Sequence, residues 1–127
     1  MYFSVKTSVL HGIDSMVVSC ESDVSNGMPV FLLVGFLSEE VKESRERVRT
    51  ALSNIGISLP AKRITVNISP ASIKKSGTSF DLPIAISIIG AMGMIQSKNL
   101  DRSLMLGEMN LQGNILPVNG VLPAALS

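Results

Sequence analysis

The residues with the clearest capacity for chemistry are Gly77-Thr78-Ser79-Phe80-Asp81. A serine in a turn before an apolar run approximates the nucleophile elbow Gly-x-Ser-x-Gly, in which a sharp strand-to-helix turn exposes a hydroxyl. Here aspartate replaces the second glycine. That removes the residue that lets the turn be sharp and puts a negative charge where an oxyanion would develop. A triad also needs a base, and His11 is the one histidine. It falls in the turn His11-Gly12-Ile13-Asp14, where a polar surface role is the simpler reading. Cys20, His11 and the acids near them lack the close Cys/His spacing of a zinc site. No Gly-Lys-Ser/Thr occurs, so these residues hold no phosphate-cradling Walker loop. Lys62-Arg63 and Lys74-Lys75 are candidate phosphate contacts of a nucleic-acid-binding domain, against the ordinary reading of loop lysines as solvated charge.

These side chains must be positioned by a chain of alternating strands and helices. Tyr2 to Leu10 alternates apolar and polar residues and reads as a half-buried strand. Met16 to Glu21 is a second strand. Ser25-Asn26-Gly27 is a turn, and Pro29 to Phe36 is a third strand whose continuously apolar run Val30 to Val34 predicts a central position in a sheet. Ser38-Glu39-Glu40 caps a helix that buries Val41, Val48, Leu52 and Ile55, with Arg45 and Ala51 at the margin. Its other face mixes Glu39, Glu40, Glu43 and Glu46 with Lys42, Arg45, Arg47 and Arg49, including a favourable Glu43–Arg47 pair. The acids balance the bases, so this face reads as solvated rather than as a phosphate-binding one. Gly56 ends the helix, and Ile64 to Ile68 is the fourth strand.

The polar loop through Gly77 then leads into the most apolar segment of the chain. Asp81 stands where an N-cap belongs and Pro83 in the first turn, which predicts a helix from Leu82 buried on most of its circumference. At roughly 14 residues it is short of the ~20 that cross a bilayer, which makes it a core helix. Gln96 to Asp101 reads as a surface connection. Leu104 to Met109 and Asn114 to Val118 read as strands joined by a hairpin through Asn110-Leu111-Gln112-Gly113, and Gly120 opens a last helix. The order predicts an α/β (α+β) two-layer fold, a mixed sheet with helices packed on it.

The chain of 127 residues, 46% of them hydrophobic, suits one domain with a real core. A net charge of +1 makes no electrostatic case for nucleic acid or an acidic membrane. A single cysteine and no secretory leader fit a reducing cytoplasm. The final Gly120 to Ser127 reads as a helix just begun, as if the natural protein continued.

Several runs carry a family resemblance: Val9 to Asp14, Pro29 to Gly35, Val41 to Arg49, Arg63 to Pro70, Phe80 to Ala85, Leu106-Gly107-Glu108 and Leu116 to Ala125. Over essentially the whole chain they resemble the N-terminal domain of the magnesium-chelatase-like AAA+ proteins of the ComM/YifB competence type. The resemblance implies the fold of the Lon protease domain, shared with a ribosomal small-subunit protein. It also implies one domain over residues 1–127 followed by an AAA+ ATPase, which would hold ATP and Mg and assemble as a homo-hexamer acting on DNA in recombination. No cofactor and no membrane partner are implied for the residues themselves.

By the same resemblance Ser79 falls on the Lon nucleophile. The segment Leu116 to Ala124, where Lon carries its lysine, has none. A serine without a base to take its proton is a poor nucleophile. The leading reading is therefore a non-catalytic module of a DNA-acting ATPase. A degenerate or active serine peptidase using Ser79 and a stand-alone DNA-binding module are the alternatives.

Overall fold

A computed structural model describes residues 1–11, 14–95 and 105–116. Strand β1 (Tyr2–His11) pairs antiparallel with β2 (Asp14–Ser25) from Tyr2↔Asp23 to His11↔Asp14. β2 then pairs antiparallel with β4 (Arg63–Ser69), and β4 pairs parallel with β3 (Val30–Val34). The described sheet is thus mixed, in the order β1-β2-β4-β3, as the alternation of elements predicts.

β3 lies at the end of this sheet, not at its centre. Its apolar run is explained differently. Phe31 is buried on the helix-covered face, while Leu32 is only half-buried and Val34 is 43% exposed on the other face. Continuous hydrophobicity in five residues does not separate a central strand from an end strand whose outer face stays partly wet.

One sheet face presents Val5, Val18, Cys20, Ile64, Val66 and Ile68, all buried. Helix α3 (Asp81–Ala91) lies on it and buries eight of its eleven residues, in agreement with its nearly all-apolar sequence. Gly90 permits the close approach to β1, since a Cβ there would fall 2.2 Å from the Phe3 ring. The opposite sheet face is polar. On it Glu21 accepts hydrogen bonds from the Tyr2 hydroxyl at 2.8 Å and the Asn67 amide at 2.9 Å.

The helix predicted after Ser38 is divided into α1 (Glu39–Lys42) and α2 (Ser44–Asn54) at Glu43. Ser38 caps α1 as expected, its Oγ accepting the Val41 N–H at 3.2 Å. Val41, Val48, Ala51 and Leu52 are buried. Ile55, assigned above to the same stripe, is 50% exposed because it sits past the last helical turn. The predicted hairpin is present as β5 (Glu108–Met109), which starts later than expected, paired with β6 (Ile115–Leu116), the last described residues of the second predicted strand. Its turn is built by Asn110, whose Oδ1 accepts the N–H groups of Gln112 and Asn114. The expected connection from Gln96, the stretch from Pro117 and the last helix from Gly120 lie outside the described residues. Among the described residues no helix is long and apolar enough to cross a membrane.

Candidate functional site

The loop before α3 is held from three sides. Gly77 takes φ +94°, a left-handed conformation suited to glycine, and its N–H donates to Glu40 Oε1 at 2.8 Å. The Ser79 carbonyl accepts the Gly107 N–H at 2.9 Å, and the Leu82 N–H donates to the Gly107 carbonyl at 3.0 Å. This short pairing ties the loop to the strand that follows. Leu37 and Lys75 form an isolated parallel bridge that joins the loop to the exit of β3.

Asp81 does not cap α3. Phe80 occupies the cap position and no side-chain hydrogen bond closes the helix start. The Asp81 carboxylate, fully buried, points instead at Arg47 on α2: Nε donates to Oδ2 at 2.8 Å and Nη2 to Oδ1 at 3.1 Å. Its Oδ2 also accepts the Met109 N–H of β5 at 3.0 Å. A two-pronged guanidinium–carboxylate pair is stronger and more directional than a cap bond, so it decides the side chain's orientation. The Asp81 hydrogen bond raises the Arg47 pKa above its ordinary value. Arg47 is therefore not on a solvated face. Its side chain is 23% exposed, and the predicted partner Glu43 stands at 3.6 Å as a secondary contact. Ser44, wholly buried, accepts Arg47 Nη2 at 3.1 Å. Together these bonds join α2, α3 and β5 through one carboxylate. A legible signal existed in the run Ser44, Arg47, Val48, Ala51, where small residues at helical spacing leave room for a neighbouring helix.

Ser79 is half-buried, and among the described residues no hydrogen bond connects its hydroxyl to a base. Lys75, the lysine nearest in sequence to the loop serine, directs its ammonium to the Pro70 carbonyl. His11 ends β1, five residues beyond Lys6, whose carbonyl accepts the Met105 N–H beside the loop. The segment matching the Lon lysine lies beyond Leu116, outside the described residues. Cys20 is buried with Ser22 and Ser87, at 3.6 Å from the Ser87 Oγ, and burial pushes its thiol up to about 12. It is inert packing. Among the described residues no three His, Cys, Asp or Glu side chains group to hold a metal.

The basic candidates part company. Lys62, Arg63 and Lys74 are exposed, Lys74 lying 5.9 Å from the Phe36 ring centroid. Lys75 is fully buried and cannot meet a phosphate. Adjacent residues of an extended segment point opposite ways, so the pair was never one contact. Desolvation lowers the Lys75 pKa. Between that lowered value and the unfolded value of about 10.4 the unfolded chain binds more protons, so this group makes stability rise with pH. Cys20 works in the opposite sense above about 9, because its folded pKa is raised. Subtracting a Lys75→Met variant cancels the cysteine. The stability difference, read from urea midpoints between pH 7 and 10.5, should move in favour of the parent as pH rises. A difference constant with pH would show that Lys75 is not buried as a cation at neutral pH.

A family model described as subunit ChlI of Mg-chelatase matches residues 20–127. Competence protein ComM of Haemophilus influenzae is 44% identical over 116 residues, 91% of this chain and 23% of that protein. The uncharacterized protein YifB of Escherichia coli is 37% identical over 121 residues, 95% of this chain and 24% of its own length. A Lon protease of Mycolicibacterium smegmatis is 26% identical over 117 residues, 87% of this chain and 15% of that protease. The chain thus spans about a quarter of the ComM and YifB relatives.

Proposed function

The chain belongs to the family of subunit ChlI of Mg-chelatase, and we propose that it is a non-catalytic module of a ComM-like ATPase that acts on DNA in competence and recombination, such as by branch migration. The observation that carries this reading is the use of the loop's own acid. Asp81, at the end of the elbow-like motif, is bonded to Arg47 and the Met109 N–H. The loop is thereby a rigid joint between α2, α3 and β5, and no described base is bonded to the Ser79 hydroxyl. A hydroxyl without such a base is a weak nucleophile. ATP and Mg belong, in this reading, to an AAA+ domain elsewhere in a cytoplasmic, homo-hexameric protein. The 127 residues contain no Gly-Lys-Ser/Thr and do not fit a nucleotide's triphosphate by that route.

The weak similarity to Lon protease keeps the Ser79 peptidase as the second reading. One experiment separates them. The full-length protein is assayed for ATP-dependent migration of a four-way DNA junction, and for labelling by a fluorophosphonate and cleavage of unfolded casein. Junction migration should proceed, and Ser79→Ala should leave its rate within about twofold, with no labelling of either protein. Labelling or cleavage that depends on Ser79 establishes the peptidase. A protein that hydrolyses ATP but never moves the junction removes the branch-migration reading.

A further inference from the structure

Beside the end strand, α2 and the segment leading into β4 border an open cleft of about 330 Å³, whose lining includes no residue of the Ser79 loop and whose polar side chains are exposed. Its floor is the buried Phe31 ring, and its polar lining consists of Arg49, Ser53, Ser58 and Lys62. No carboxylate lines it. Along the sequence the charges of this helix cancel, but the fold separates them. Glu39 pairs with Lys42, Glu43 with Arg47 and Glu46 with Arg45, while Glu40 accepts the Gly77 N–H. Among the described residues Arg49 and Lys62 take part in no ion pair, and the neighbouring Arg63 is exposed. The Arg49 guanidinium carbon lies 5.6 Å from the Phe31 ring centroid. A ring in that position restrains the cation and leaves edge N–H groups to bond a ligand.

We propose that this cleft binds the phosphate group of a nucleotide unit. A planar carboxylate would be satisfied by the arginine fork alone. Two cations from different elements with two hydroxyls suit the several oxygens of a phosphate ester better. The volume is at the lower end of small-ligand sites, large enough for a phosphate with part of its sugar and too small for a bulky ligand. The apolar floor offers no groups that would compete for the oxygens. The site rests on the cleft's own lining and holds whether or not the chain serves a DNA-acting ATPase. The phosphate could be that of a free nucleotide or of a single nucleic-acid strand, since the chemistry that meets the cations is the same.

The test uses the protein with three probes: inorganic phosphate, adenosine 5′-monophosphate and a fluorescein-labelled 15-nucleotide single strand. Binding is followed by fluorescence anisotropy and by the NMR shifts of the Arg49 side-chain N–H and the Ser53 and Ser58 amides. Arg49→Gln with Lys62→Gln should weaken binding at least tenfold and flatten the salt dependence, as expected when two phosphate contacts are lost. The control Lys6→Gln removes one exposed cation from the polar sheet face, where it bonds Ser19, and should change affinity less than twofold. Thermal melts confirm that all variants fold. Saturable shifts with adenosine 5′-monophosphate identify a free nucleotide as the source. Shifts with the strand alone identify a nucleic-acid backbone. Three results overturn the proposal: no shift at Arg49 with any probe, equal loss from Lys6→Gln, or a glutamate-rich peptide binding as tightly as the strand.

Discussion

Asp81→Ala should destabilise the protein by about 3 kcal/mol, a loss far above that of a helix cap. Removing one partner of a buried ion pair costs about 3–5 kcal/mol, because the other charge is left without compensation. Here the lower end applies, since Arg47 keeps 23% side-chain exposure and has Glu43 at 3.6 Å to turn to. The Met109 N–H also loses its acceptor in a buried setting. A cap alone would be worth about 1 kcal/mol and would not involve Arg47. The decisive measurement is a double-mutant cycle of Asp81→Ala with Arg47→Met by urea denaturation. The two changes should fall well short of additivity, with a coupling of at least 1 kcal/mol. Additive losses would mean that the pair does not form in solution and that Asp81 acts on the helix by itself. Hydrogen exchange should also quicken at Gly107 and Met109 in Asp81→Ala, because that strand loses one of its ties to the loop.

Gly35→Ala should be similarly severe, at about 3 kcal/mol or more. Gly35 leaves β3 with φ +129°, a region that side chains disfavour at a cost of about 1–3 kcal/mol. A Cβ there would also come within 2.6 Å of the Ile68 carbonyl oxygen and 3.3 Å of Leu37. The oxygen belongs to the β4 backbone and cannot swing aside, so the clash adds to the strain. The displaced segment includes Phe36 and Leu37, whose bonding to Lys75 holds the loop ahead of Ser79. Gly77→Ala is the matched control. It too has positive φ, at +94°, but open space around the added carbon, and should cost roughly 1–2 kcal/mol. If the two substitutions lowered the denaturation midpoint equally, the contact with Ile68 would contribute nothing.

Much of the architecture follows from local pattern. Alternation sets β1, the Ser38 cap sets the start of α1, and the apolar run after Asp81 can only be a helix sunk against a sheet. Such features depend on neighbours a few residues away, and short-range sterics and burial decide them. The place of β3 in the sheet was not legible, because strand order is a choice among distant partners and Val30 to Val34 would suit either a central or an end position. The role of Asp81 is not legible in the sequence for a related reason. Its sequence neighbours offered a helix start, but its strongest available partner was a guanidinium 34 positions earlier.

What the sequence by itself determined is the α+β class, the buried helix, the family and the identity of the elbow-like loop, since each is written in contiguous residues. Only the tertiary structure decided how the charges are used. It buried Lys75 while leaving Lys74 exposed, turned Arg47 from an apparently solvated face onto Asp81, and left Arg49 and Lys62 together in an acid-free cleft. A net charge of +1 is a sum, and a sum carries no position. Electrostatic attraction falls with distance and strengthens out of water, so which charges compensate one another is settled by the packing that brings them together.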